Sequence, residues 1–323
     1  MSAILIRADG GPEIGFGHIT RCRALIEAFD HFQLGFLWLT STPDVLPDLL
    51  RKRREIISID PAEEAAAILA LARTHASPLL VGDWKETDPD LVDRVRATGL
   101  GVALLGNLTG EARADLFIRQ RFEAEPESDG TPSLDGSAHL LLPGAFRDIP
   151  AKQHAGRAGR VLVSLGGSMS PLINRIMDLC SEISDTAGLE LDILRPSATG
   201  TPHTAPEVAA RMQAADFAIL AGGTSLHEAA ASRLPTLCLP IVGRQMDRAR
   251  SWEACGFGAS LVPETPHWER EFASQFNRFI EDAEFRTAAS QRMAHHVDGH
   301  GAERIARALA TRWPLARNTA ESV

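Results

Sequence analysis

Along the chain the spacing of apolar positions keeps switching between a strand period and a helix period, which predicts a repeated strand–helix build. The stretch ILIRADGGPEIGFGHITRCRALIEAFD, residues 4–30, gives an apolar strand, a glycine-rich loop and a helix that opens at His18. Further strands are predicted at 33–40, 55–60, 78–83 and 101–106, with helices at 44–54, 61–75 and 88–98 between them. Such repetition makes a parallel sheet. From Arg121 to Ser137 acids, prolines, glycines and serines displace the apolar residues, and an exposed loop is expected. HLLLPGAFRDIP (139–150) is apolar again, and AKQHAGRAGR after it is expected to be the hinge between two domains, 1–150 and 151–323.

The second half begins again with RVLVSLGGSMS (160–170), a strand and a glycine loop, then a helix from Pro171 to Thr186. LELDIL, DFAIL and PTLCLP supply three more strands. Between the last two, AGGTSLHEAAASRL predicts a helix starting near Thr224, and MDRARSWEACGFG another after PTLCLP. Two further helices are expected at 267–280 and 282–297, and GHGAERIARALATRW as a terminal helix that crosses back onto the first domain.

Length and composition narrow the classes. A chain of 323 residues is longer than one core usually serves, in line with two domains. The net charge of −9 argues against a nucleic-acid partner, because a phosphate backbone demands a basic face. No apolar run approaches the roughly 20 residues of a membrane helix, so no stable membrane insertion is expected. The start MSAILIRADGG lacks the form of a signal peptide, and a cytoplasmic protein is expected. Cys22, Cys180, Cys238 and Cys255 lie far apart without metal or redox spacing, as reduced thiols would.

The glycine loop carries the first candidate chemistry. Gly10, Gly11, Gly15 and Gly17 allow sharp turns and close approach to a ligand, but their spacing is not the dinucleotide fingerprint, so no cofactor is expected. The partial positive charge at a helix start favours a neutral imidazole at His18, fit to take a proton; the alternative is a histidine that only caps its helix. Asp9 and Asp83 each close a strand, either to reach one cleft or to cap the next segment of chain. In the second half Gly222, Gly223, Thr224 and Ser225 offer amides and hydroxyls to an anion such as a pyrophosphate, with Glu228 one turn on for ribose hydroxyls. A plain helix cap with a salt-bridged glutamate is the competing reading. Gln245 and Asp247 are expected to face the same cleft.

Taken together, IGFGHITRC, SLGGS and AGGTSLHEAAASRLPTLCLP with the later Gln245 resemble the UDP-sugar hydrolases of pseudaminic acid biosynthesis, relatives of MurG. The resemblance implies a GT-B fold, α/β with two Rossmann-like, doubly wound parallel-sheet domains facing a cleft. It implies hydrolysis of UDP-2,4-diacetamido-2,4,6-trideoxy-β-L-altropyranose to free sugar and UDP, without a metal, for surface or flagellin glycosylation. His18 then falls on the base that activates water, and Gly222, Gly223, Thr224, Ser225 and Glu228 on the UDP grip. Asp9, Gly15, Gly17, Arg21, Arg147, Gly166, Gly167 and Gln245 complete the expected substrate contacts. Asn107 stands where many members have an acid. A UDP-sugar is the expected partner, and the chain is expected to be a monomer or weak dimer. A GT-B glycosyltransferase and a nucleotide-sugar sensor without turnover are the competing functions.

Three other signals are read as structural. Asp88 is a natural cap for its helix rather than a metal ligand, and HHVDGH (295–300) sits at a helix end as surface. LPDLLRKRREI, with the basic run Arg51 to Arg54, is read as a solvated helix face rather than a membrane contact.

Overall fold

The computed structural model describes residues 2–11, 14–46, 48–106, 112–127, 129–166, 170–195 and 203–314. Asn107 and Gly167 lie outside these. The chain forms two compact units, Met1–Gly144 with His300–Val323, and Ala145–Gly299.

In the first unit β1 (Ile4–Ala8), α1 (Gly17–His31), β2 (Phe36–Thr40), α2 (Asp48–Arg51), β3 (Ile56–Ser58), α3 (Glu64–Thr74), β4 (Leu79–Asp83), α4 (Pro89–Arg96), β5 (Gly101–Leu105), β6 (Leu116–Ile118) and β7 (Ser133–Leu134) follow in order. All seven strands are parallel, in the order β3-β2-β1-β4-β5-β6-β7. Both faces of this sheet are covered. Ile4, Ile6 and Ala8 join a core with Cys22, Leu25 and Phe29 of α1, while Leu5 joins another with Ile68 of α3 and Val92 and Val95 of α4. That is why these strands read as continuous apolar runs.

The second unit holds β8 (Arg160–Ser164), α5 (Pro171–Ala187), β9 (Glu190–Ile193), α6 (Ala205–Ala214), β10 (Phe217–Ala221), α7 (Ser225–Ala231), β11 (Thr236–Leu239), α8 (Met246–Ala254), β12 (Gly258–Ser260), α9 (Trp268–Glu281) and α10 (Ala283–His296). Its parallel order is β12-β11-β10-β8-β9. Phe217 and Ile219 pack with Ile173 and Ile176 of α5 and Phe272, Phe276 and Phe279 of α9. The segment expected to be a hinge is held inside this unit: the Lys152 amide donates to Ser290 Oγ and the Ala158 amide to the Ile280 carbonyl. The terminal helix α11 (Gly301–Arg312) belongs to the first unit, where Ile305, Ala306 and Leu309 enter the core that α1 lines.

Three expectations are corrected. Residues 44–54 form no continuous helix but a 3-10 turn, Pro43–Val45, and the single turn of α2, as prolines at 43 and 47 dictate. The stretch from Arg121 to Ser137 is not all loop: β7 lies within it, paired with β6, and Arg119 and Arg121 tie it down through Glu127 and Asp135. The third concerns β6 and β12, strands that the apolar pattern did not predict.

Each sheet reverses its winding once. The first reverses between β1 and β4 and the second between β8 and β10, and the crevice outside the carboxyl ends of such strands is where open α/β sheets take ligands.

Candidate functional site

At the first reversal the chain leaves β1 through the glycine loop. The Gly11 and Gly15 amides bond each other's carbonyls, with Gly11 at φ 144° and Gly15 at φ 94°. A Cβ on Gly10 would lie 2.2 Å from Ile19 Cδ1 and 2.6 Å from its Cγ1, so a larger residue there would have to displace Ile19 of α1. The helix starts at Gly17, with no side-chain cap and no acid in its first turn.

That start places His18 and Arg21 over the end of β4. Asp83 is buried, and its Oδ1 lies 2.8 Å from His18 Nδ1. Arg21 donates from Nη2 to Asp83 Oδ1 at 2.8 Å and from Nε to Oδ2 at 3.1 Å. Arg21 Nη2 also lies 3.1 Å from His18 Nδ1. The two contacts to Nδ1 oppose each other in the neutral ring: Arg21 Nη2 only donates and favours a bare Nδ1, whereas the carboxylate only accepts and favours a protonated one. The carboxylate contact is the shorter, 2.8 Å against 3.1 Å, and on that ground Nδ1 is assigned the proton and donates to Asp83. Nε2 is then the basic nitrogen, on a side chain 16% exposed. Burial pushes the Asp83 carboxyl up, but the Arg21 charge and the His18 hydrogen bond outweigh it and hold it below the usual carboxylate range.

Asp9 ends the neighbouring strand and is engaged differently. It accepts from the Ser41 amide at 2.7 Å, Ser41 Oγ at 2.8 Å, Thr40 Oγ1 at 3.0 Å and Arg7 Nη2 at 2.7 Å. Arg7 in turn pairs with Glu64, which also receives Trp84 Nε1. This carboxylate therefore stitches β1 to the loop after β2.

At the second reversal Leu220 pairs with Ser164, so the segments through Gly166 and Gly222 leave the same sheet edge side by side. Every carbonyl of the β10–α7 turn is occupied. Ala221 O accepts the Gly223 amide at 2.8 Å, Gly222 O accepts Arg248 Nη1 at 2.9 Å, and the Gly223 and Thr224 carbonyls accept the amides of Leu226 and His227. The Gly223 amide, expected to face an anion, thus points into the turn. The Thr224 and Ser225 amides have no backbone acceptor among the described residues, and Thr224 gives α7 no side-chain cap. The turn is left with donors. Glu228 keeps part of its surface exposed, yet surrounding atoms crowd it and desolvation pushes its pKa up to about 7. Among the described residues no ion pair or hydrogen bond offsets that burial. A carboxyl so placed suits hydroxyl donors from a ligand.

Gln245 reaches the turn: a Cβ on Gly222 would lie 2.7 Å from Gln245 Cβ. Its own side chain accepts the Ile241 amide at 2.8 Å. Asp247, expected beside it, is instead exposed and paired with Arg250. Gly166 has φ 85° with open space around it, and Arg147 lies in the second unit beside Gly299. Sequence reasoning missed two partners, Asp83 for His18 and Arg248 for Gly222; a charge near the start of the helix after PTLCLP was the available signal for the second. Among the described residues no group of three or more His, Cys, Asp or Glu is arranged to hold a metal, and no helix is long and apolar enough to cross a membrane.

No family model matches the chain. It is 24% identical over 344 residues to the spore coat polysaccharide biosynthesis protein SpsG of Bacillus subtilis strain 168, covering 93% of this chain and 95% of that protein. MurG of Acinetobacter baumannii superposes with a TM-score of 0.67 at 14% identity over 96% of this chain and 99% of its own. The spinosyn rhamnosyltransferase SpnG, solved with thymidine diphosphate, gives 0.59 at 15% identity over 96% and 100%. The fold is of the GT-B type.

Removing Asp83 leaves Arg21 buried without its counter-charge. Asp83→Ala is expected to lower unfolding free energy by about 3 to 5 kcal/mol, and Asp83→Ala with Arg21→Leu to recover most of it, measured by urea denaturation. Because the folded Asp83 pKa is depressed, its contribution is present above about pH 4 and lost as pH falls through the folded value. The double variant should lack that acid-side loss.

Proposed function

We propose that this protein cleaves the anomeric C–O bond of a UDP-linked sugar, with His18 as general base and the Thr224–Glu228 region as the grip on the nucleotide. The observation that supports the reading is the Asp83–His18 pair at the switch point of the first sheet, where a proton held on Nδ1 of the neutral ring makes Nε2 the basic nitrogen. Water is the nucleophile in the reading that the IGFGHITRC resemblance favours. Nε2 takes a proton from water, the oxygen bonds to the anomeric carbon, and the electron pair of the broken bond leaves on the β-phosphate of UDP. Donors from Thr224 and Ser225 meet the diphosphate charge, and Glu228 accepts from the ribose. The sugar in this reading is a diacetamido-trideoxy hexose destined for surface carbohydrate, a setting that SpsG's place in polysaccharide biosynthesis supports.

Transfer is the second reading, with an acceptor hydroxyl in place of water. It is favoured by the spinosyn rhamnosyltransferase that shares the fold. Phosphorus NMR of UDP-sugars incubated with the protein separates the two: UDP released without an acceptor means hydrolysis, and UDP released only on adding one means transfer.

His18→Ala should cut kcat about 100-fold or more and leave the Kd for UDP nearly unchanged. An equal fall in UDP affinity would make His18 a phosphate ligand. Glu228 yields a prediction of opposite sign in stability and binding. Its folded pKa of about 7 lies above the unfolded value near 4.3, so ionising it costs stability that grows with pH between those values and persists above them. Glu228→Gln should therefore raise the unfolding midpoint at pH 8, leave it unchanged at pH 4, and weaken UDP binding at pH 8 roughly 10-fold or more. Unchanged UDP affinity at pH 8 would remove Glu228 from the nucleotide.

A further inference from the structure

Arg248 lies on α8, three residues after Gln245, and its guanidinium reaches back to the turn that follows β10. We infer that Arg248 is a positioning residue that makes the β10–α7 turn selective for a diphosphate, by holding the Gly222 carbonyl away from the ligand and setting a fixed cation behind the turn. The inference rests on the nucleotide reading of the second unit and adds to it a residue and an ionic selectivity.

Four observations converge on it. A diphosphate is repelled by carbonyl oxygens, and the turn has four, Ala221 to Thr224, in consecutive positions. Three are engaged by backbone amides of the turn and its helix, and such bonds form wherever this turn forms. Gly222 O alone depends on a side chain, Arg248 Nη1 at 2.9 Å. Without that donor the oxygen is an unengaged acceptor at the anion's edge.

The packing leaves little freedom for substitutes. A Cβ on Gly222 would lie 2.7 Å from Gln245 Cβ and 2.9 Å from its carbonyl oxygen, so the turn lies flush on the start of α8. Arg248, three residues further along the chain than Gln245, has the length to reach the Gly222 carbonyl. The charge of Arg248 is also felt inside the sheet. Burial pushes the Cys238 thiol on β11 up to about 12, and Arg248 acts against that rise. The half-buried guanidinium that acts on this thiol also bonds the Gly222 carbonyl, so its charge lies at the turn itself. Arginine suits the task because it stays charged when buried.

The measurement is calorimetric titration of wild type, Arg248→Ala and Arg248→Lys with UDP and with uridine, beside thermal unfolding of each. Wild type should bind UDP far more tightly than uridine. Arg248→Ala should weaken UDP roughly 10-fold or more and leave uridine within about twofold, so the loss falls on the diphosphate. Arg248→Lys, which keeps a cation and a donor, should recover part of the UDP loss and serves if the alanine variant unfolds. UDP and uridine weakening together, or UDP affinity unchanged, would overturn the role of Arg248 while the nucleotide reading stands. A wild type that binds neither ligand would overturn both.

Discussion

The ion pair between Asp83 and Arg21 is the constraint on which the glycine-loop edge of the first unit depends. A carboxylate with 1% of its side chain exposed carries a desolvation penalty of several kcal/mol unless a well-aligned partner repays it. Arg21 supplies two hydrogen bonds from the second turn of α1, and this requires the helix to begin directly over the end of β4. The chain must then leave β1, reverse and enter α1 within a few residues. Gly10, Gly11 and Gly15 are the positions where that path leaves no room for a Cβ or needs a positive φ. His18, three residues before Arg21 on the same face, is brought to the same carboxylate as a consequence.

Each unit's sheet reverses its winding once, and the two reversals carry opposite electrostatics. At the reversal of the first sheet a buried carboxylate is fully paired and kept charged, which orients an imidazole. At the reversal of the second a carboxyl is crowded and left without a protein partner among the described residues, and its pKa rises to about 7. A paired charge serves as scaffold, whereas an unpaired one stores an unfavourable burial that a ligand can relieve. Asp9 shows that position alone does not decide the role. It ends the strand beside Asp83, yet its hydrogen bonds to Arg7, Thr40 and Ser41 make it a stitch between strands.

Much of the fold was legible because β1, β4, β5, β8, β10 and β11 are largely apolar and lead into glycine loops or a carboxylate. Two such series in tandem implied two parallel-sheet domains, and the resemblance to relatives of MurG implied the GT-B build. The short strands β6, β7 and β12 were not legible: two or three residues carry no period, and β7 is held by pairing with β6 rather than by its own composition. Of the candidate site, local pattern alone singles out the glycine loops, His18 and Glu228. The partnership of His18 with Asp83 spans 65 residues and that of Gly222 with Arg248 spans 26, and no local pattern announces either. The inward turn of the Gly223 amide was hidden for another reason, since glycine permits several turns and the sequence does not choose among them.

The central claim is that Asp83 holds the proton of His18 on Nδ1 and leaves Nε2 as the base. Long-range nitrogen–proton correlation NMR of the imidazole rings, with His18 assigned through His18→Gln, reads this directly. At a pH where the ring is neutral the account predicts a protonated Nδ1 and an unprotonated Nε2 for His18, and loss of that preference in Asp83→Asn. A His18 proton on Nε2 in the wild-type protein would contradict it.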